Sequence, residues 1–286
     1  MDKEGIVNFL GAGYCFGERT LFKDITLIPQ GSVLKYENSE LSFKKYWEYS
    51  VKPGAGSLDE LTDRFFFHID NAFKRCINGG KSVFIPLSGG LDSRTMAGIA
   101  KTNNLRIYGC TVGYKESRDV HYGRSIGRKI CTHHSVFYVG SDYIKKLAPR
   151  GIRSTDGLVS NQTFYILKLL DYEADSNTLV SGFLGDILTG NNLVEFKLPV
   201  KQIVKQMFLE AFDEDELPKI LTPALKQLVG INSSFLVQSL NNADAENISH
   251  KSMITALKVR QRRYTSYYLH ELGRKWNVVS PFTAND

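Results

Sequence analysis

The fold turns on the stretch Ser82-Val83-Phe84-Ile85-Pro86-Leu87-Ser88-Gly89-Gly90-Leu91-Asp92-Ser93. Its first half, Ser82 to Leu87, is a short apolar run that reads as a buried strand. Two glycines follow, and a helix is expected from about Ser93 to Asn103. A loop that leaves a strand and opens a helix presents unpaired backbone N–H groups at the positive end of the helix dipole, which suits an anion. Gly89 and Gly90 let the backbone approach such an anion closely. Ser88 and Ser93 add hydroxyl donors. Asp92 would repel a bare phosphate, so it makes sense only with a bridging cation, for which Mg²⁺ is the natural candidate. The Gly-Lys-Ser/Thr ending of an ordinary P-loop is absent.

Working outward, strands and helices alternate. Arg106 to Val112, Ser135 to Val139 and Thr178 to Ser181 read as strands. Val120 to Ile130 and Val159 to Leu170 read as helices. That alternation predicts an α/β fold, a parallel sheet flanked by helices. Upstream, Ser57 and Glu60 have capping-box spacing. Leu58, Leu61, Phe65, Ile69, Phe73 and Cys76 or Ile77 then recur at helical spacing, the stripe of a core helix. Pro53-Gly54-Ala55-Gly56 reads as a linker. Residues 1 to about 50 read as strands and turns: Gly5 to Leu10 apolar, Gly11-Ala12-Gly13 a turn, Ile25 to Ile28 alternating, Ser32 to Tyr36 a strand. Beyond about residue 200 the pattern is helical, with a long stretch from about Ala243 to Leu272.

The 286 residues are 42% apolar and 23% charged, as in an ordinary globular protein with room for a core of its own. The net charge is +6 and the pI near 9.0, which favours anionic ligands. The basic residues are scattered, so nucleic acid is not the expected partner. The cluster Arg260-Gln261-Arg262-Arg263 reads as a solvated helix face. Cys15, Cys76, Cys110 and Cys131 form no paired motif and read as free thiols of a reducing compartment. With no signal-peptide pattern and no long apolar run, a cytoplasmic location and no membrane partner are expected. His133 and His134 are adjacent on a strand, point to opposite faces, and read as structural.

Ser-Gly-Gly-Leu-Asp-Ser, with Leu87 before it and Arg94 after it, resembles the asparagine synthetase family of pyrophosphatase-type (PP-loop) ATP enzymes, with their adenine nucleotide alpha-hydrolase-like fold. Further resemblances are Thr111-Val112-Gly113-Tyr114, Asp119 before a helix, Thr132-His133-His134, the second glycine loop Ser181-Gly182-Phe183-Leu184-Gly185-Asp186, and Ser280-Pro281-Phe282. Thr20 to Gly31 and Tyr46-Trp47 resemble the tail of the family's class II glutaminase domain. On this reading residues 1–50 are a remnant of that β domain. Residues 57–286 are the ATP-binding domain, shortened at its C-terminus.

The resemblance implies that Ser88, Gly89, Gly90 and Ser93 hold the β- and γ-phosphates of ATP. It implies adenosine contacts from Leu87, Val112, Ser181 and Gly182, with Gly113 in the same turn, and Mg²⁺ ligation by Asp92 and Asp186. The implied chemistry is an acyl-adenylate made from a carboxylate, aspartate by default, then amide formation with ammonia or an amine. A homodimer or a separate glutaminase remain open as protein partners. Three features depart from the family. The chain begins Met1-Asp2 rather than with a cysteine nucleophile, so no glutamine hydrolysis is expected of it. Phe183 stands where the family has Glu, or Tyr in β-lactam-forming relatives, and cannot move a proton; Ile187 replaces a second acidic residue. The family's catalytic lysine lies beyond the Pro-Phe element, and its absence before Asp286 leaves adenylation slow or absent. The rival readings are a non-catalytic ATP-binding module, an amide-forming enzyme of secondary metabolism (β-lactam or peptide-cyclising), and a tRNA-modifying enzyme of the same loop class.

Overall fold

A computed structural model describes residues 1–51, 54–190, 198–209 and 211–284. Pro53 of the expected linker and the last two residues of the expected ATP-binding domain lie outside these. In chain order the elements are α1 (Lys3–Ala12), β1 (Ser32–Glu37), β2 (Glu40–Lys45), α2 (Leu58–Ile77), β3 (Ser82–Pro86), α3 (Leu91–Thr102), β4 (Arg106–Gly113), α4 (Arg118–Ile130), β5 (His133–Tyr138) and α5 (Tyr143–Ser154). A 3₁₀ segment (Asn161–Asp171), β6 (Thr178–Val180) and α6 (Gly185–Leu188) follow. Then come α7 (Val200–Phe208), α8 (Leu217–Ile220), α9 (Pro223–Lys226), α10 (Ile231–Asn241), α11 (Ile248–Ala256), a π-helical stretch (Leu257–Thr265), α12 (Tyr267–Leu272) and β7 (Asn277–Val279).

The chain forms two compact units. One comprises Met1–Pro53, Thr155–Ser160 and Asn192–Tyr267; the other Gly54–Ser154, Asn161–Asn191 and Tyr268–Asp286. The second holds a five-stranded parallel sheet in the order β5-β4-β3-β6-β7. From β3 the chain steps to β4 and β5 on one side, then crosses to β6 on the other. The strand order therefore reverses between β3 and β6, and ligands of open α/β sheets bind outside the carboxyl ends of the strands at such a point.

One face of the sheet is covered by an aromatic cluster. Phe84 is fully buried, with ring centroids 4.9 Å from Tyr172 and 4.7 Å from Trp276, and Cys110, Leu169, Leu179 and Leu272 complete the cluster. Burying a side chain of this size contributes about 1.5–3 kcal/mol. α3 packs on β3 and β4, and α4 on β4 and β5. Gly127 of α4 has no room for a side chain, because an added Cβ would lie 2.3 Å from the His134 ring.

α2 begins as its sequence indicates. Ser57 Oγ accepts from the Glu60 N–H at 3.3 Å and the Glu60 carboxylate accepts from the Ser57 N–H at 2.8 Å. The core-helix reading holds only for its second half. Ile69, Ala72 and Phe73 are buried, whereas Leu58, Leu61, Phe65, Phe66 and Phe67 are exposed. Among the elements of this unit that carried no sequence expectation are α5 and β7. The latter is three residues long, too short for a periodic signal.

The other unit corrects the reading of the N-terminus. Gly5 to Leu10 is helical, not extended. Asp2 caps α1 by accepting the Gly5 N–H at 2.6 Å, and Gly13, at φ +82°, ends it by donating to Phe9 O. A short apolar run is ambiguous in period, and here the Asp and Gly at its ends decide. Ile25 to Ile28 is not a strand. β1 and β2 pair as an antiparallel hairpin through Asn38 and Ser39, both at positive φ, as a two-residue hairpin turn requires. α1 packs on α8 and α10, where Val7, Leu217 and Leu221 meet and the buried Asn8 amide donates to Asn232 Oδ1 at 2.7 Å.

The cluster at 260–263 is likewise not a solvated face. Arg262 pairs with both carboxylate oxygens of Glu18. Arg263 is buried and donates to the carbonyls of Gly17 and Arg19. The π-helical backbone there breaks the 3.6-residue period on which the sequence reading relied.

Candidate functional site

The loop between β3 and α3 is tied down by its own side chains. The Ser88 N–H donates to Ser93 Oγ at 3.2 Å, and the Gly90 N–H to Ser88 Oγ at 3.1 Å. The Gly89 N–H donates to Asp119 Oδ1 on α4 at 2.8 Å. The two serine hydroxyls lie 3.1 Å apart. No side chain caps α3 at Gly90, so the helix end keeps its partial positive charge for an incoming anion. Leu87 is buried at the end of β3, where its N–H continues the ladder to Cys110 O.

The second glycine loop leaves β6, the strand next to β3. Ser181 is buried, and its N–H bonds Val279 O across to β7. The two loops touch. An added Cβ on Gly182 would lie 2.8 Å from Asp92 Cβ, and one on Gly185 would lie 2.6 Å from Asp92 Cγ. Neither glycine has a positive φ, so close approach, not backbone conformation, demands them. Leu184 between them does adopt the left-handed region, at φ +71°. That is an uncommon conformation for a branched residue, held here by the packed loop.

This contact brings Asp92 and Asp186 together. The Asp186 N–H donates to Asp92 Oδ2 at 3.1 Å. The half-buried Asp92 carboxyl is raised above the usual carboxylate value, first by burial and then by the charge of Asp186, with the Asp186 N–H pulling the other way. A carboxyl whose charge is disfavoured by a neighbouring carboxylate suits a shared divalent cation. Mg²⁺ commonly takes one or two carboxylates and fills the rest of its shell with phosphate and water, and among the described residues no third acidic, His or Cys ligand joins them.

The remaining sequence-predicted residues lie at the end of β4, the neighbour of β3 on its other side. Gly113 is buried, and an added Cβ would meet Ser117 Oγ at 3.0 Å. Val112 is half-buried and packs into the aromatic cluster, so its backbone rather than its side chain is what the strand end offers. His133 and His134 do face opposite ways. His134 Nε2 bonds Thr111 Oγ1 at 2.9 Å, whereas His133 stacks on Tyr172.

Three residues of the site were given no role in the sequence reading. Asp119 was visible only as a family spacing, yet it holds the Gly89 N–H. Ser280, beside Pro281 and Phe282, donates to Phe183 O at 3.0 Å. Tyr268 sets its ring edge-on to Phe183 at 6.3 Å, with its hydroxyl toward Ser181. Its phenol is pushed up to about 12, chiefly by burial, and so stays protonated. Nothing local in a helical stretch distinguishes that tyrosine.

A parallel sheet with two glycine-rich loops meeting at its switch point, one of them opening a helix, defines a nucleotide-binding α/β protein. The sequence matches the asparagine synthase family over residues 68–266, and the chain belongs to that family. It is thereby, in general terms, an ATP-dependent ligase that forms carbon–nitrogen bonds. Among solved structures, it is similar to an NH3-dependent NAD synthetase from Campylobacter jejuni, at 15% identity and a TM-score of 0.31, over 63% of this chain and 94% of that one. No curated protein matches. No described helix is long and apolar enough to cross a membrane.

Proposed function

We propose that the site activates a carboxylate on ATP. A carboxylate oxygen of the substrate attacks the α-phosphorus and the bond from that phosphorus to the bridging oxygen of the β-phosphate breaks. Pyrophosphate leaves, and an acyl-adenylate remains. A nitrogen nucleophile then attacks the acyl carbon, the carbon–oxygen bond to AMP breaks, and the nitrogen loses a proton as the amide forms. Aspartate and ammonia are the default substrates.

The observation that carries this reading is the contact of the two loops at the switch point. It sets a run of backbone amides beside a carboxylate pair. In this assignment Ser88, Gly89, Gly90 and Ser93 hold the β- and γ-phosphates. Leu87, the backbone of Val112 and Gly113, Ser181 and Gly182 flank the adenosine. Asp92 and Asp186 hold Mg²⁺, which supplies charge neutralisation of the leaving pyrophosphate. Because Asp119 accepts the Gly89 N–H in the free protein, nucleotide binding is expected to release that bond. Residues 1–50 are read as the remnant of a glutaminase-like domain.

One observation favours a second reading, an ATP-binding module without turnover. Phe183 and Ile187 carry no transferable proton, and Ile187 is buried. The same departure at Phe183 favours, within the catalytic reading, an amide of peptide or secondary metabolism over asparagine. Pyrophosphate release, assayed with ATP, Mg²⁺ and a panel of carboxylic acids and amino-terminated peptides, tests the proposal. Release that depends on one carboxylate supports it. ATP binding by calorimetry without release under any of these conditions supports the module instead.

A further inference from the structure

Residues 115–130 contain five Lys or Arg residues and two carboxylates, a net of +3, half the charge of the whole chain. Spread through sequence they look ordinary, but the structure gathers four of them. Lys115, Arg124, Arg128 and Lys129 line an open groove of about 730 Å³ along one face of α4, with Ser117 and Ser125 as hydroxyl donors. All four cations are exposed, and among the described residues none has a carboxylate within ion-pair distance. The nucleotide loop does not use them. The α4 residues beside it are Asp119, which accepts the Gly89 N–H, and Arg118 and Tyr122, whose backbone O and ring edge lie against Gly89. Their field also extends inward. His134 beneath α4 is held below the usual histidine range first by burial, then by the charges of His133, Arg124 and Arg128.

We infer that this groove on α4 binds an acidic polypeptide segment. Unpaired like charges on one face raise the local potential and draw in an opposite partner. Arg124 and Arg128 are one helical turn apart, about 5–6 Å between Cβ atoms. Alternate side chains of an extended peptide are about 6.6 Å apart, so one strand can set successive carboxylates on successive arginines. The guanidinium fork suits carboxylates. The concavity suits a slender chain. A single nucleic acid strand fits less well, since such sites interleave cations with aromatic platforms and only Tyr138 lines this one with an aromatic carbocycle. Glu116 at the groove would also oppose an uninterrupted phosphate ladder, whereas a peptide can leave that position neutral.

The test is a fluorescence-anisotropy titration of the full chain with a short labelled peptide alternating Glu and Gly, without nucleotide, so that its outcome is independent of the catalytic reading. The expected result is saturable binding that weakens with salt and falls at least about tenfold in Arg124→Glu/Arg128→Glu. A Lys219→Glu/Lys226→Glu variant, equal in net charge and changed in the other compact unit, is expected to bind as the parent does. Circular dichroism confirms that both variants fold, and Lys115→Gln/Lys129→Gln gives a second, milder lesion of the groove. No binding by the parent chain overturns the inference. So does equal loss in the two charge-reversed variants, or tighter binding of a single-stranded oligonucleotide of matched charge.

Discussion

Asp186 donates its backbone N–H to the carboxylate of Asp92, 3.1 Å away and 94 positions earlier in the chain. The bond joins the first turn of α3 to the first turn of α6. The loops at the switch point are therefore one structure, not two neighbours. What lets them meet is the absence of side chains at Gly182 and Gly185.

Gly185→Ala is expected to separate the loops. Its Cβ would meet Asp92 Cγ at 2.6 Å and Phe282 Cε2 at 2.8 Å, and overpacking of this kind costs about 1–3 kcal/mol. ATP affinity by calorimetry should fall at least about tenfold, because the phosphate loop loses its backing. Gly98→Ala is the control. Nothing lies within 4 Å of that added Cβ in α3, and the change should stabilise the fold by about 0.4–1 kcal/mol. Equal melting curves for the two variants would refute the close-approach argument.

The strand–loop–helix unit was legible because its determinants are local: an apolar run, two glycines, a helix start. The second loop and the family were legible for the same reason. What was not legible depends on residues far apart. The Gly89–Asp119 bond spans thirty positions, and Tyr268 reaches Ser181 from a helix whose periodicity says nothing of its hydroxyl. Local pattern also misled where burial is set by tertiary neighbours. The apolar stripe of α2 is core only from Ile69 on, and Arg263, charged and in a helical run, is buried because it satisfies the Gly17 and Arg19 carbonyls.

The Asp92 carboxyl gives a pH prediction. Its value in the fold is raised, so between the ordinary carboxylate value and the raised one the native state holds more protons than the unfolded state, and stability falls as pH rises. Asp92→Asn should therefore stabilise the free protein at neutral pH. The gain should fade as pH drops through the raised value towards the ordinary one. Chemical denaturation from pH 7 to pH 4 checks the sign. The same substitution should weaken the Mg²⁺ dependence of ATP binding. A variant destabilised at neutral pH would contradict the electrostatic account.

Tyr268→Phe keeps the ring against Phe183 and removes the hydroxyl that faces Ser181. A hydrogen bond between the two hydroxyls would be worth about 0.5–1.5 kcal/mol. ATP affinity should fall about three- to tenfold, with little change in melting temperature. A double-mutant cycle with Ser181→Ala separates a shared bond from two independent losses. If the two substitutions are additive, Tyr268 does not act through Ser181.

The two halves of α2 should respond unequally to truncation, although their residues look alike in sequence. Phe73 is fully buried, and Phe73→Ala should cost about 3–5 kcal/mol. Phe66 and Phe67 are 54% and 65% exposed, and alanine at either should change stability by less than about 0.5 kcal/mol. Phe65 lies between these cases, because its ring stacks at 6.4 Å on Phe282 of the Pro-Phe element, and an intermediate loss is expected there. Urea midpoints of the four single variants decide the matter. A large loss at Phe66 or Phe67 would mean that the exposed half of α2 is covered in solution by something that this chain alone does not supply.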